Sequence, residues 1–563
     1  MPKTPLFRAL ARSMRIGLFC NDKGLSTREG LERAEAAAAS RRPPSRREFV
    51  KGAAAVSAFA ALAPSLLRTR RAEAKQLGEV SVAIIGGGLA GLTCADRLQR
   101  WGVIPTIFEA NSRLGGRVNT AYGTFPGQVG ELGGEMIDNA HKTMLGYANA
   151  LNLAREDLGK SPGKTFFYFN GSNHDEAEYI DQFRLFAART KADLQSLSGA
   201  PSRASHTDAD VALDNTSLGE YLATRGAGLP LLQGVLRQAY IAEYGLEPEQ
   251  QSCLGLLFFI HMDRRSKFRP YGGSDERFHL VGGNSKLIDG LAARFTGTIE
   301  TSARMSRLAR NAGGKYEVTI NGVVRAFDAV VLTLPFSVLR TPGLLDDVSL
   351  GITLEKRNAI NNLGYGANAK TMIGFQGRPW APHGSDGDAY SDLPNLQNTW
   401  ETNYSLAGAT SILTDYSGGT RGANLQRVAG ACGMCHVSDG SGPNTANATI
   451  QTTLQAQVGA FLTDLDKVYP GAKAAATVGA DGNYVVRRGH WLTQRYSRGS
   501  YTCYKPGQFT TICGDEGTSI QGLKFAGEHA DSFYNWQGFM EGAANSGIAA
   551  ADEIIADIAA GRL

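Results

Sequence analysis

Residues 79–120 read EVSVAIIGGGLAGLTCADRLQRWGVIPTIFEANSRLGGRVNT, and they contain the most informative pattern in the chain. The apolar run at 80–85 is typical of a strand that is buried on both faces. Gly86, Gly88 and Gly91 follow at the spacing G-x-G-x-x-G. In this arrangement the first glycine permits a tight turn and the second lets backbone N–H groups approach a pyrophosphate. The third lets a helix pack close to the strand, so the stretch predicts a dinucleotide-binding turn.

The residues that follow complete a strand–helix–strand unit. Leu92, Ala95 and Leu98 recur at helical spacing, and a second apolar run at 103–108 predicts the next strand. Glu109 ends this run about 20 residues after the glycines, where a carboxylate can hold a ribose hydroxyl. A lone glycine motif also fits an ordinary turn, but the ordered strand, helix, second strand and acid favour the nucleotide site.

A second glycine-rich element, R-L-G-G-R, lies just beyond Glu109. Its arginines, Arg113 and Arg117, flank Gly115 and Gly116. Guanidinium groups can form paired hydrogen bonds to phosphate oxygens, so the element suits a second diphosphate contact. A nicotinamide enzyme does not need it.

With these motifs the chain resembles the flavin amine oxidase family, which includes monoamine, polyamine and L-amino acid oxidases. The resemblance covers about residues 79–560. It rests on the segments GGGLAG (86–91), EANSRLGGRVNT (109–120), ELGGEMID (131–138), GANAKTMIGF (366–375) and FAGEHADSFYNWQGFMEGAANSGIAAA (525–551).

The resemblance implies an α/β protein with a Rossmann-like FAD-binding domain and an interleaved α+β substrate-binding domain. We expect the FAD-binding domain at 75–140, 280–340 and 488–563, and the substrate-binding domain at 141–279 and 341–487. The apolar spacing over about 140–262 predicts helices there, and a hairpin is expected at 316–327.

The resemblance also implies which residues hold FAD. Besides Gly86, Gly88, Gly91, Glu109 and the R-L-G-G-R element, these are Gly133, Gly134, Glu135, Met136, Met305, Trp491, Gly527, Glu528, Trp536, Phe539 and Met540. Met540 opens the last predicted helix, whose positive end would stabilise negative charge on a reduced flavin.

Three residues are candidates for catalysis by the same resemblance. Lys370 corresponds to the family lysine that contacts flavin N5 through a water, and the alternative is an exposed strand lysine. Tyr501 and Phe539 correspond to the two aromatic residues that sandwich the amine, and the alternative is two core aromatics. Ser500 stands where covalent members carry a cysteine, so non-covalent FAD is expected.

Charge and composition limit the classes of partner. The chain has 563 residues, 42% hydrophobic and 20% charged, which suffices for two domains. Residues 1–74 carry a net charge of +9 and the remainder −4, so nucleic acid and anionic membrane are not expected partners. No metal site is predicted. The oligomeric state stays open, with a homodimer among the alternatives.

The first 74 residues have the features of an export signal. Ser45 to Lys51 reads S-R-R-E-F-V-K, an alanine-rich run follows at 53–67, and Ala72-Glu73-Ala74 fits a cleavage site. The apolar run is too short for a stable membrane span. We therefore expect twin-arginine export to the periplasm or beyond and exclude residues 1–74 from the fold. A basic tail and an uncleaved anchor are the alternatives.

The cysteines leave several alternatives open. Cys432-Gly-Met-Cys435-His436 has the C-x-x-C-H pattern of c-type haem attachment, but a disulfide or thiols fit the glycine-rich loop better. Cys503 and Cys513 could form a second bridge in an oxidising compartment.

The expected reaction is oxidation of an amine C–N bond by hydride transfer to FAD. The imine product would hydrolyse to an aldehyde or ketone plus ammonia or a smaller amine, with O2 or a periplasmic electron carrier as acceptor. An L-amino acid oxidase is the nearest alternative, although the segment 133–138 lacks an arginine for a substrate carboxylate. A C–C desaturase and a non-enzymatic flavin-binding protein are further alternatives.

Overall fold

The computed structural model describes residues 5–39, 79–158, 163–262, 276–403, 408–425, 436–438 and 448–563. Its strands are β1 (Val82–Ile85), β2 (Thr106–Phe108), β3 (Thr120–Phe125), β4 (Gln128–Glu131), β5 (Arg155–Asp157), β6 (Lys164–Phe169), β7 (Ser172–His174), β8 (Phe278–Leu280), β9 (Ile299–Glu300), β10 (Met305–Arg310), β11 (Tyr316–Ile320), β12 (Val323–Phe327), β13 (Ala329–Leu332), β14 (Ala369–Gln376), β15 (Ser385–Ser391), β16 (Asn398–Glu401), β17 (Thr410–Ser417), β18 (His436–Ser438), β19 (Val486–His490) and β20 (Leu523–Phe525).

The α-helices of the same residues are α1 (Pro5–Lys23), α2 (Thr27–Ala39), α3 (Leu89–Gln99), α4 (Lys142–Ala150), α5 (Glu176–Arg189), α6 (Lys191–Ser196), α7 (Asp208–Asp214), α8 (Leu218–Arg225), α9 (Pro230–Tyr244), α10 (Leu254–Met262), α11 (Ser285–Arg294), α12 (Phe336–Leu339), α13 (Leu354–Asn362), α14 (Gly419–Asn424), α15 (Ala448–Val468), α16 (Ala472–Ala475), α17 (Gln508–Thr511) and α18 (Met540–Ala559).

A five-stranded parallel sheet carries the glycine-rich turn. Its strand order is β20-β13-β1-β2-β9, so β1 lies at the centre, and all four residues of β1 are buried. Helix α18 packs on α3 at close range, because a Cβ at Gly547 would lie 2.2 Å from the Ala90 carbonyl oxygen. The α/β prediction is confirmed. The expected hairpin at 316–327 is β11 and β12, and β10 adds a third antiparallel strand.

The second large sheet has eight strands in the order β18-β19-β14-β17-β16-β15-β6-β7. The prediction of helices over 140–262 is wrong for β5, β6 and β7. Strands β5 and β6 pair with the distant strands β8 and β15, and β7 pairs with β6. Strand β19 also crosses the predicted boundary at residue 487. One core cluster includes Ile85 of the first sheet and Trp400 of the second, so the two sheets share a continuous interior.

The exclusion of residues 1–74 from the fold is wrong for 5–39. Leu10 and Met14 of α1, one helical turn apart, are buried in the main core against α5. Arg12 pairs with Glu176, and the Ser13 hydroxyl donates to the same carboxylate over 2.7 Å. The interpretation of residues 1–74 as an export signal had left the apolar face of α1 out of the predicted fold.

Helix α2 is held in the same way. Arg184 of α5 donates to the Thr27 hydroxyl over 2.9 Å and to the Leu25 carbonyl over 2.8 Å. Gly30 lies against α1, where a Cβ would come within 2.2 Å of Cys20 Sγ. The predicted twin-arginine pair and cleavage site lie outside the described residues.

Two further sequence expectations can be compared with the structure. Cys513 is a buried thiol, so the bridge between Cys503 and Cys513 is wrong. Burial raises the pKa of the Cys513 thiol to about 12. Cys432 and Cys435 lie outside the described residues. Within the described part of the chain, no helix is both long and apolar enough to cross a membrane.

Candidate active site

One cavity of about 250 Å³ connects the glycine-rich turn with the eight-stranded sheet. Of the predicted site residues, it is lined by Gly86, Gly88, Glu109, Arg113, Gly115, Gly116, Arg117, Gly133, Gly134, Glu135, Met136, Met305, Lys370, Trp491, Tyr501, Gly527, Glu528, Phe539 and Met540. Gly91 and Trp536 are not among the lining residues.

The turn after β1 is shaped by its glycines. Gly86 has φ +115°, a conformation that side chains rarely adopt. A Cβ at Gly91 would lie 2.0 Å from the Gly86 carbonyl oxygen, which agrees with a packing role below the cavity. At Gly88 a Cβ would meet no protein atom closer than 3.9 Å. There is therefore room for a group directly against the Gly88 backbone, as a bound dinucleotide requires.

Glu109 lies at the end of β2 beside this turn. One carboxylate oxygen accepts from the Gly87 N–H over 2.8 Å and the other from the Asn111 N–H over 2.7 Å. Burial raises the pKa of this carboxyl group, although both N–H bonds oppose the rise. A carboxylate oxygen can accept more than one bond, so both oxygens retain capacity for a ribose hydroxyl.

The two arginines of R-L-G-G-R make intraprotein bonds. Arg113 donates to the Leu114 and Gly116 carbonyls over 2.9 and 2.7 Å. Arg117 donates to the Ser500 carbonyl over 2.9 Å and to Glu528 over 2.7 Å. Burial would raise the pKa of Glu528, but Arg117 holds it below its usual value. These arginines fix the loops that line the cavity.

The segment after β4 lines the cavity. A Cβ at Gly133 would lie 1.8 Å from the Arg117 carbonyl oxygen, and one at Gly134 would lie 2.8 Å from Met540 Sδ. Trp491 closes this side and donates its indole N–H to the Leu132 carbonyl over 2.9 Å. Gly133 leaves no room for a side chain because a backbone atom packs directly against it, whereas a side chain at Gly134 would displace Met540.

The N-terminus of α18 faces the cavity through Phe539 and Met540. Its next residue, Glu541, points elsewhere and accepts the backbone N–H groups of Thr143 and Met144, each over 2.8 Å. The positive end of a 20-residue helix therefore lies at the cavity. Trp536 packs instead on the His141 ring, with a centroid distance of 4.7 Å.

Lys370 lies on β14 and is buried, which excludes the exposed-lysine alternative. Its ammonium donates to Glu135 over 2.6 Å and to the Gly133 carbonyl over 2.9 Å. It lies 5.3 Å from the centroid of the Trp400 ring. The cation thus has a fixed position on the cavity wall.

Four aromatic residues line the same region: Trp400, Tyr416, Tyr501 and Phe539. The hydroxyls of Tyr416 and Tyr501 are 2.8 Å apart, and Tyr501 also donates to the Ala242 carbonyl over 3.2 Å. Burial raises the pKa of both phenols, so they stay neutral. Tyr501 and Phe539 line the cavity as predicted, whereas Trp400 and Tyr416 were missed.

Glu276 was also missed; it lines the cavity and is 1% exposed. None of the three missed residues lies in a recognisable motif. Tyr416 could have been found only from the register of β14 and β17, which places it opposite Lys370. Trp400 comes next to this pair from the neighbouring strand β16.

The environment of Ser500 bears on covalent attachment. Its hydroxyl donates to the Asn368 side chain over 2.6 Å. Cys503, three residues on, is not among the described residues that line the cavity. No cysteine is among the described residues that line the cavity.

The residues that line this cavity fit the expected flavin. An open face at Gly88, a carboxylate at Glu109, a helix N-terminus and a buried cation all border one continuous space. Glycines occupy the positions where neighbouring backbone or side-chain atoms would be closest to an added side chain. The arrangement can hold an extended dinucleotide with its reactive end beside Lys370 and the four aromatic residues.

Comparisons with known proteins agree with this geometry. The family model for flavin containing amine oxidoreductase matches residues 89–555. Polyamine oxidase 4 of Oryza sativa subsp. japonica is 25% identical over 486 residues, covering 84% of this chain and 88% of the relative. Pseudooxynicotine dehydrogenase of a Pseudomonas species is 24% identical over 549 residues, covering 94% of this chain and 96% of the relative.

Solved structures share the fold. Cyclohexylamine oxidase from Brevibacterium oxydans superposes with a TM-score of 0.68 at 18% identity, covering 85% of this chain and 99% of that one. Putrescine oxidase with bound putrescine gives a TM-score of 0.67 at 16% identity, with the same coverage.

Proposed function

The chain belongs to the family of flavin containing amine oxidoreductases and is an FAD-dependent enzyme that oxidises amines; on this premise we propose that it converts a small amine to an imine. The imine hydrolyses to an aldehyde or ketone plus ammonia or a smaller amine. The observation that carries the proposal is the single cavity joining the glycine-rich turn to Lys370 and the four aromatic residues. When bound, FAD supplies the oxidant that takes a hydride from the carbon beside the amine nitrogen.

The chain's own residues orient the amine and exclude water. Trp400, Tyr416, Tyr501 and Phe539 provide apolar faces that hold a neutral amine. The N-terminus of α18 and the Lys370 ammonium place positive charge where negative charge would develop on a reduced cofactor. The residues proposed to hold FAD are Gly86, Gly88, Glu109, Arg113, Gly115, Gly116, Arg117, Gly133, Gly134, Met136, Met305, Trp491, Gly527, Glu528, Phe539 and Met540, with Gly91 acting through packing alone.

Two observations favour an amine over an amino acid. The carboxylates Glu135 and Glu276 border the aromatic region, where a substrate carboxylate would meet like charge. The described segment 133–138 also offers no arginine to pair with it. An L-amino acid oxidase is therefore the second candidate, supported by the family resemblance.

Anaerobic mixing with a panel of amines and amino acids tests the proposal. The panel contains diamines, cyclic amines, aromatic amines and L-amino acids. Bleaching of the flavin absorbance by an amine, followed by detection of the aldehyde or ketone, is expected. Bleaching by L-amino acids alone would support the second candidate instead. Mixing the reduced enzyme with O2 or with a cytochrome then identifies the acceptor, which is proposed to be one of the two.

We expect FAD to be bound without a covalent link. By the family resemblance, Ser500 stands where covalent members carry the linking cysteine. It is buried, and its hydroxyl donates a hydrogen bond to the Asn368 side chain. Acid precipitation of the purified yellow protein should therefore leave all FAD in the supernatant. Flavin absorbance that stays with the precipitated chain would contradict this prediction.

We further propose export through the twin-arginine pathway, supported by the S-R-R-E-F-V-K sequence. Replacing Arg46 and Arg47 by lysine should keep the protein in the cytoplasm, because the transport receptor reads the arginine pair. Cell fractionation measures this, with an Arg41→Lys/Arg42→Lys variant as the matched control of equal charge. Equal periplasmic amounts of both variants and the wild type would exclude the pathway.

A further inference from the structure

Glu135 is bonded at each of its two carboxylate oxygens to a different residue of the cavity wall. One oxygen accepts from the Lys370 ammonium over 2.6 Å, and the other accepts from the Trp400 indole N–H over 3.2 Å. The side chain of Glu135 is only 3% exposed. This carboxylate therefore joins the buried cation to one aromatic wall.

The two partners of Glu135 come from strands that are not neighbours. Lys370 lies on β14 and Trp400 on β16, with β17 between them. Tyr416 of β17 fills the space, with its ring centroid 5.2 Å from that of Trp400 and 5.9 Å from the Lys370 ammonium. Glu135 reaches across β17 from outside the sheet, so its position affects both Lys370 and Trp400.

We propose that Glu135 is a positioning residue, which fixes the Lys370 ammonium and the Trp400 indole together against the substrate space. The inference rests on the proposed function, because it assigns Glu135 a task in amine oxidation. It also replaces the earlier expectation that Glu135 is a direct FAD ligand. Lys370 acts as a cation of fixed position, and Trp400 acts as a wall of fixed orientation.

The chemistry of the partners explains why a carboxylate is needed. An ammonium and an indole N–H are donors only, so both bonds require an acceptor. A glutamine at 135 would offer one acceptor oxygen and one donor NH2 group. Whichever way the amide turned, it would lose either the Lys370 bond or the Trp400 bond and place two donors against each other. Glu135→Gln is therefore close in shape but different in hydrogen bonding.

The chain contains a matched control for this arrangement. Glu401 accepts from the Trp380 indole N–H over 2.9 Å and from Arg378 over 2.6 Å, and it is also buried. None of these three residues is among the described residues that line the cavity. Glu401 follows Trp400 on β16, so its side chain leaves the opposite face of the same strand. Glu401→Gln thus shows how much stability is lost when a buried carboxylate no longer joins an indole and a cation, and it leaves the cavity unchanged.

The experiment compares FAD-loaded wild type, Glu135→Gln, Glu135→Asp and Glu401→Gln. The readouts are the thermal midpoint, the visible spectrum and reduction potential of the bound flavin, and the pH profiles of kcat and KM for an amine identified by the panel. Glu401→Gln should lower the thermal midpoint and leave the spectrum, potential and pH profiles as in wild type.

Glu135→Gln should shift the flavin spectrum and potential, move the pH profile of kcat and lower kcat at least tenfold. Glu135→Asp keeps both acceptors but is one methylene shorter, and should recover part of these changes. If Glu135→Gln changes only the thermal midpoint, as Glu401→Gln does, the positioning role is wrong. The spectrum and potential need no turnover, so they decide the inference even if no amine reduces the wild type and the proposed function itself fails.

Discussion

Replacing Lys370 with methionine is expected to slow amine oxidation by about 10²–10³-fold while FAD stays bound. This is the typical loss when one fixed polar group is removed from a transition state in a water-excluded site. The lysine is buried and held by Glu135 and the Gly133 carbonyl, so its positive charge lies at a fixed point that methionine cannot supply. Single-turnover reduction and reoxidation of the flavin would show which half of the reaction is slowed.

The same variant should also lose stability. Methionine matches the volume of lysine, but it leaves the Glu135 carboxylate buried without its cation. Breaking a buried pair in this way costs about 3–5 kcal/mol in free energy of unfolding. The double variant Lys370→Met/Glu135→Gln should regain much of that stability and none of the activity, which separates the two roles of the lysine.

Lys356 provides a control for this experiment. It is 1% exposed, donates to the Glu516 carbonyl over 2.7 Å and is not among the described cavity-lining residues. Lys356→Met should therefore reduce stability and leave kcat unchanged. Wild-type kcat in Lys370→Met, or an equal loss of kcat in Lys356→Met, would refute the catalytic role of Lys370.

Much of the FAD-binding fold was predictable because its signals are local. The apolar run at 80–85 contains β1, and the glycine motif forms the turn into α3. The last predicted helix begins within one residue of Met540. Each of these depends on neighbours in sequence. Strand β6 was missed because its partner β15 lies far along the chain, and β7 because it pairs only with β6. Helix α1 was missed because residues 1–74 were interpreted as an export signal.

The candidate site divides in the same way. Gly86, Gly88, Glu109 and Lys370 lie in continuous motifs and line the cavity as the sequence predicted, whereas Gly91 does not line it. Trp400 and Tyr416 reach it only through the register of three strands, which no local pattern specifies. The partners of Arg113 and Arg117 were likewise hidden, because they are carbonyl groups and a carboxylate brought in by the folded loops.

Adding one methyl group at Gly91 or at Gly88 should give two different failures. At Gly91 the new Cβ would lie 2.0 Å from the Gly86 carbonyl oxygen, a backbone atom that cannot turn aside. Helix α3 would have to move away from β1, and such overpacking costs about 1–3 kcal/mol or more. Gly91→Ala should therefore lower the thermal midpoint of the FAD-free protein and weaken FAD binding as a consequence.

Gly88→Ala should spare the FAD-free protein and impair only the loaded one. Gly88 has φ −78°, which alanine adopts freely, and its Cβ would meet no protein atom closer than 3.9 Å. The methyl group would instead occupy the space directly in front of the backbone, where the cofactor must approach. A comparable overpacking cost of about 1–3 kcal/mol would fall on the free energy of FAD binding alone. It would weaken the affinity for FAD by roughly 10–100-fold. Titration of FAD-free protein with FAD, followed by flavin fluorescence, measures it. Equal loss of stability in the two FAD-free variants would show that the space at Gly88 is not open. Wild-type affinity in Gly88→Ala would show that the cofactor does not lie against this turn.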